Sequence, residues 1–203
     1  MEKPTDWLHI FILTYYIQTM RIISGRWRGK IIIAPESLPV RPTTDMAKEG
    51  LFNWLSTRVD IEDALALDLF AGTGNITYEL VSRGIGKVVS VDKDPGCVKF
   101  IKRISEQLSS KVVEVFQADA RVAIKRVHQK FNIIFADPPY EYPDHEKITH
   151  EILDLHILAE DGWYIIEHPA SVVLKHIPGY SETRNYGKVH FSFFQQAPIL
   201  KIV

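Results

Sequence analysis

One cysteine, Cys97, stands among the 203 residues. An internal disulfide and a cysteine-rich zinc site are thereby excluded, and a reducing compartment, the cytoplasm, is the expected location. Neither sign of charge dominates: 24 Lys and Arg against 25 Asp and Glu leave a formal net charge of −1. Any nucleic-acid surface must therefore be a local patch. Long apolar runs are missing too. The N-terminal stretch from Trp7 to Ile17 is interrupted by His9, and a spanning helix needs about 20 apolar residues, so no membrane partner is expected. That stretch has neither a basic leader nor a small-residue cleavage site. Residues 1–19 are expected to be an upstream extension or start-site artefact, because MRIISGRWRGK from Met20 reads as a natural start.

Several catalytic signatures are absent as well. Without a G-x-S-x-G elbow or a G-x-x-x-x-G-K-[ST] loop, hydrolase and P-loop readings have no support. HEKITH, residues 145–150, places its histidines at i and i+5, whereas zinc on a helix needs i and i+4 on one face. His145, His150 and His156 read as surface or helix-end residues, and no metal is expected.

What the chain does have is a rhythm. RIIS, a turn at GRWRG and KIIIA predict a β-hairpin whose charged residues, Arg21, Arg26, Arg28 and Lys30, are all basic. With Trp27 among them, this is the candidate phosphate-contacting surface. RPTT leads into a helix that Thr44 or Asp45 can cap, with Ala47, Leu51 and Trp54 on one face. From Ala64 apolar strands alternate with helices: ALALDLF, NITYELVSRG, KVVSVD, a helix from Pro95, VVEVF, a helix from about Arg121, FNIIFAD, a helix at about 145–155, and GWYIIE. This pattern implies a parallel sheet covered on both faces. YSETRNYGKVHFSFFQQ adds two strands joined at Gly187, an antiparallel end to the sheet. One α/β domain over residues 20–203, opening with the hairpin at 20–43, accounts for the length.

In such a sheet ligands bind beyond the carboxyl ends of the strands, where strand order reverses, and each informative motif falls at such an end. LDLFAGTGN offers Gly72 and Gly74 for a tight turn and close backbone approach to a ligand. Thr77 occupies the place of the third glycine in G-x-G-x-x-G, so a tight structural turn also explains this stretch. Asp92, in VDKD, lies twenty residues after Gly72, a spacing that suits acceptance from ribose hydroxyls; capping of the next helix by Asp92 or Asp94 is the alternative. Asp119, in QADA, reads equally as an acceptor for an adenine amino group and as an N-cap.

FADPPY discriminates among these possibilities. The Asp137 carboxylate and the Pro138 carbonyl can accept both hydrogens of an exocyclic amine, while Pro139 stiffens the turn and Tyr140 stacks on the attached base. The nitrogen lone pair then faces an electrophile on a neighbouring cofactor, for which a sulfonium methyl is suited.

LDLFAGTGN, VDKD, QADA and DPPY, in this order and spacing, resemble the class I S-adenosylmethionine-dependent amino-methyltransferases. MRIISGRWRGK, RPTTDMAKEGLFNWL and the short C-terminal part resemble more closely the bacterial small-subunit (16S) ribosomal RNA guanine-N2 methyltransferases. This resemblance covers about residues 20–195, and MAKEG departs from the more basic segment of relatives. It implies a Rossmann-like, seven-stranded, mostly parallel sheet with an antiparallel last strand. S-adenosylmethionine is then held by Asp68, Phe70, Ala71, Gly72, Gly74 and Asn75, with Asp92 and Lys93 at the ribose and Asp119 and Ala120 at the adenine. Asp137 borders both cofactor and guanine. Arg41 joins the hairpin cations as an RNA contact. The implied partner is ribosomal RNA, free, within the small subunit or in an assembly intermediate. DNA adenine-N6 and protein glutamine methyltransferases share the tetrapeptide geometry, although glutamine enzymes place Asn at the position of Asp137. A nicotinamide oxidoreductase and a non-enzymatic RNA-binding protein are further alternatives.

Overall fold

The computed structural model describes residues 18–35, 37–38 and 44–196. Its first two strands, β1 (Gln18–Arg21) and β2 (Ile31–Ala34), pair antiparallel with Met20 opposite Ile32. The hairpin thus includes Gln18 and Thr19, upstream of Met20. Period-two alternation turns Ile32 and Ala34 inward and leaves Ile31 and Ile33 exposed. Helix α1 (Asp45–Leu55) starts where the Thr44 hydroxyl accepts from the Ala47 amide. Ala47, Leu51 and Trp54 are buried together, as their spacing requires.

The alternating region then unfolds as expected: β3 (Leu65–Leu69), α2 (Asn75–Ser82), β4 (Lys87–Asp92), α3 (Pro95–Gln107), β5 (Val113–Gln117), α4 (Ala120–Ile124), β6 (Phe131–Ala136), α5 (His145–Asp154) and β7 (Leu158–His168). The terminal pair is β8 (Tyr180–Tyr186) and β9 (Val189–Phe194). Strand order in the seven-stranded sheet is β5-β4-β3-β6-β7-β9-β8. Strands β3 to β7 are mutually parallel and β9 runs against both neighbours. The last strand is therefore the antiparallel one, and it inserts inside the sheet rather than at its edge. Composition explains the choice, since VHFSFF can be buried on both faces whereas YSETRNY is polar enough to form an exposed edge.

Successive residues of one strand enter opposite cores. Ala66, Ile133 and Ile165 pack under α1 and α2, while Leu67, Ile134 and Ile166 pack under α4 and α5. A third cluster joins Met20, Ile22 and Ile32 of the hairpin to Tyr78 and to Phe100 and Ile101 of α3. From β3 the chain steps to β4 and β5 on one side, then returns to β6 and β7 on the other. The reversal lies between β3 and β6, and that crevice is where this architecture binds ligands.

Candidate active site

Leu69 and Ala136 are the last register partners of β3 and β6, and the Asp137 amide donates to the Leu69 carbonyl at 3.3 Å. The glycine loop and the Pro-Pro kink therefore leave the sheet side by side. Phe70, Gly72 and Gly74 take φ of +58°, +54° and +81°. The left-handed region costs a non-glycine residue such as Phe70 roughly 1–2 kcal/mol, and strained backbone of this kind collects at functional sites. A Cβ at Gly74 would lie 2.7 Å from the Tyr78 ring. Helix α2 begins at Asn75, so its first amides point back at the loop. Thr77, in the place of the third glycine, has a structural reason to be there. Its hydroxyl donates to Asp68 Oδ2 at 2.6 Å and lies 2.6 Å from Ser90 Oγ, tying α2 to β3 and β4. Asp68 is buried beneath the loop; desolvation, against the Thr77 bond and with the Asp92 charge, pushes its carboxyl up to about 7.

Asp92 ends β4 and holds the loop directly. Its Oδ2 accepts from the Gly72 amide and its Oδ1 from the Asp94 amide, both at 2.8 Å. Each carboxylate oxygen retains a second lone pair for a ribose hydroxyl. Lys93 is exposed, and Asp94 caps α3 through the Cys97 amide. Asp119 caps α4, accepting from the Arg121 amide at 2.9 Å through Oδ1, with Ala120 buried behind it. An open cleft of about 510 Å³ beside Asp119 is lined also by Arg121, Tyr142 and Asp144.

These acceptors form an ordered strip. Across the sheet the strand ends carry Asp119 on β5, Asp92 on β4, the Gly72 loop on β3 and Asp137 on β6. An adenine amine, a ribose diol and an attached sulfonium chain present donors and positive charge in that same order, so the residues fit S-adenosylmethionine. Replacing Asp92 by alanine removes its bonds to the Gly72 and Asp94 amides together with the carboxylate placed to accept a ribose hydroxyl. Bonds to a charged group contribute about 1.5–3 kcal/mol each, so S-adenosylhomocysteine affinity, read by calorimetry, is expected to drop about 10²-fold.

At the kink, Pro138 is buried while Pro139 and Tyr140 are exposed, and the Tyr142 amide closes the turn on the Pro139 carbonyl at 2.7 Å. Burial, then the charges of Glu167 and Asp68, hold the Asp137 carboxyl well above the usual carboxylate range. Glu167, on β7, accepts from the Tyr140 hydroxyl at 3.4 Å. Tyr142 stands edge-on to Phe70 at 5.4 Å and to His145 at 5.6 Å. His145 is a helix-end residue, opening α5, and packing against Tyr142 leaves it 3% exposed rather than on the surface. No group of three His, Cys, Asp or Glu side chains among the described residues is placed to hold a metal.

The hairpin is docked onto the same assembly. Glu79, fully buried on α2, accepts from the amides of Ile23 and Ser24 at 2.8 and 3.0 Å and from Arg83 Nε at 2.8 Å. Lys48 Nζ lies 3.6 Å from Glu79 and donates to the Arg21 carbonyl at 2.6 Å and to Asn75 Oδ1 at 2.8 Å. Thr73 of the glycine loop donates to Met20 Sδ at 3.0 Å. Arg26, Arg28 and Lys30 remain exposed, Arg21 pairs with Asp45, and Trp27 is half-buried under the Arg26 guanidinium. Arg41 lies outside the described residues. Sequence reasoning missed Lys48, Glu79 and Glu167. Lys48 had a signal, since it shares the helical face of Phe52 and Leu55.

The family model described as Conserved hypothetical protein 95 matches residues 20–195. The ribosomal RNA small subunit methyltransferase D of Escherichia coli is 35% identical over 151 residues, 71% of this chain and 69% of that protein. A solved Escherichia coli methyltransferase, yhhF, superposes with a TM-score of 0.76 at 28% identity, covering 88% of this chain and 98% of that one. The fold extends to the Thermus thermophilus 16S rRNA N2 G1207 methyltransferase, solved with AdoMet and guanosine, at TM-score 0.68 and 19% identity over 89% of this chain and 50% of that one. The chain belongs to the Conserved hypothetical protein 95 family, alongside the ribosomal RNA small subunit methyltransferases D, and is a class I S-adenosylmethionine-dependent methyltransferase.

Proposed function

We propose that the chain methylates the exocyclic N2 amine of a guanine in small-subunit (16S) ribosomal RNA. The observation that carries this reading is the adjacency of the Asp137–Tyr140 kink and the glycine loop across the β3–β6 switch. The relatives' ribosomal RNA substrate supports the choice of RNA.

S-adenosylmethionine, when bound, supplies an electrophilic sulfonium methyl group. Asp119, Asp92 and the Phe70–Asn75 loop hold it, with Asp68 bracing the loop from below. Asp137 and the Pro138 carbonyl accept the two amine hydrogens, turning the lone pair toward the loop, and Tyr140 stacks on the base. Positive charge that builds on nitrogen is stabilised by Asp137, whose raised basicity also suits it to take the proton the amine sheds. A base in paired RNA has to leave its stack to reach this site. Arg26, Arg28 and Lys30 contact the flanking phosphates, so the hairpin serves as the RNA surface of a single domain. A ribosomal RNA substrate places the work in the cytoplasm, on free RNA, the small subunit or an assembly intermediate. Among the described residues no helix is long and apolar enough to cross a membrane.

Incubation with labelled cofactor and bare 16S RNA, assembled subunits or DNA tests the reading. Label is expected in RNA, recovered as N2-methylguanosine after digestion. Label in DNA adenine, or binding of NAD in place of S-adenosylhomocysteine, would overturn it.

A further inference from the structure

Guanine differs from the other bases that carry an exocyclic amine in what stands beside that amine. In adenine and cytosine the neighbouring ring nitrogen is an acceptor. In guanine the neighbour on the Watson–Crick side is N1–H, a donor, so on that side the 2-amine and N1 present two adjacent donors, with the N3 acceptor on the far side of the amine. A site with one carboxylate serves any of these amines; a second carboxylate beside the first serves guanine and repels the lone pair of the others.

The structure has that second carboxylate. Ala136 and Ile166 are register partners on β6 and β7, so the next residues, Asp137 and Glu167, follow as neighbours, close enough for the Glu167 charge to act on the Asp137 carboxyl. Glu167 is 4% exposed, and the Tyr140 hydroxyl reaches its Oε1 at 3.4 Å. The ring expected to stack on the base is therefore tied to this carboxylate. A carboxylate has about four lone-pair sites, so a bond from Tyr140 to Oε1 is compatible with acceptance from a base at the same carboxylate.

We infer that Glu167 is the specificity-determining residue of the target-base site, accepting the N1–H of guanine while Asp137 and Pro138 accept from N2. The inference rests on the guanine-N2 reading above and deepens it. Glu167 also positions Tyr140, which makes base stacking and base identity depend on one carboxylate.

The test uses a synthetic RNA containing the guanine that the enzyme methylates, and the same RNA with 2-aminopurine there. 2-Aminopurine keeps the 2-amine, but its N1 is an acceptor. Wild-type kcat/KM is expected to favour guanine by on the order of 10²-fold, because a site built to accept a hydrogen bond rejects an analogue that cannot donate it. In Glu167→Gln the side-chain amide can rotate to donate to N1, so the preference is expected to shrink by about tenfold or more. S-adenosylhomocysteine affinity should not change in this variant. A structural role alone would lower both rates and leave their ratio intact. Equal wild-type rates on the two RNAs, or a folded Glu167→Gln enzyme with an unchanged ratio, overturn this inference alone. Should Glu167→Gln fail to fold, the wild-type ratio still decides. No transfer to the guanine RNA overturns the underlying reading of function.

Discussion

Methyl transfer to RNA is expected to fall on the order of 10³-fold when Asp137 is replaced by alanine, the scale seen when one preorganised charge-stabilising group is removed. The substitution deletes an acceptor for one amine hydrogen, the charge opposite the developing cation and the proposed proton acceptor, all in one side chain. Its location limits collateral damage, because the Asp137 amide still reaches the Leu69 carbonyl and the two prolines still set the kink. S-adenosylhomocysteine binding should therefore change far less than turnover. Asp137→Asn keeps an acceptor oxygen without the charge and should fall between the two in single-turnover rates. Unchanged turnover in Asp137→Ala would mean that amine orientation does not drive the reaction.

The second large effect concerns stability. Glu79→Ala is expected to destabilise the fold by about 3–5 kcal/mol, the cost of breaking a buried ion pair by removing one partner. Three groups lose their acceptor at once, the Ile23 and Ser24 amides and Arg83 Nε, and Lys48 Nζ loses its counter-charge. Lys48 is hit hardest, since burial already pulls its pKa down and Glu79 is the largest influence holding it up. In a domain of this size each kcal/mol shifts Tm by about 2–4 °C, so a thermal melt should show a drop of about 10 °C. The hairpin should loosen first, because its amides at Ile23 and Ser24 are held by this carboxylate, and hydrogen exchange at those amides reads that separately. A melt within a degree or two of wild type would contradict the assigned role.

Much of this molecule was legible in the order of its residues. Apolar strands separated by helices implied a doubly covered parallel sheet, and the motifs at strand ends converge on one crevice because a parallel sheet puts all its carboxyl ends on one side. DPPY was readable because two prolines constrain the backbone locally, with little dependence on the rest of the fold. Asp119 does cap α4, and the cap posed for Asp92 or Asp94 falls to Asp94, while Asp92 ties the glycine loop; none of these bonds uses every lone pair of its carboxylate. Glu167 was not legible, since an acid ending YIIE acquires meaning only through register with Asp137, two strand-ends apart in sequence. Glu79 likewise looked like any polar residue of α2 until the hairpin folded back onto it. Thr77 looked like a defect in a glycine pattern, and its hydroxyl proves to be a tie between three elements.

The most direct test is a crystal structure with S-adenosylhomocysteine and guanosine. The account predicts the thioether sulfur between the Gly72 loop and Asp137, the ribose diol on Asp92, and the guanine 2-amine on Asp137 and the Pro138 carbonyl beneath Tyr140. A nucleoside cofactor lodged away from the β3–β6 switch, or a guanine whose 2-amine points away from Asp137, would contradict it.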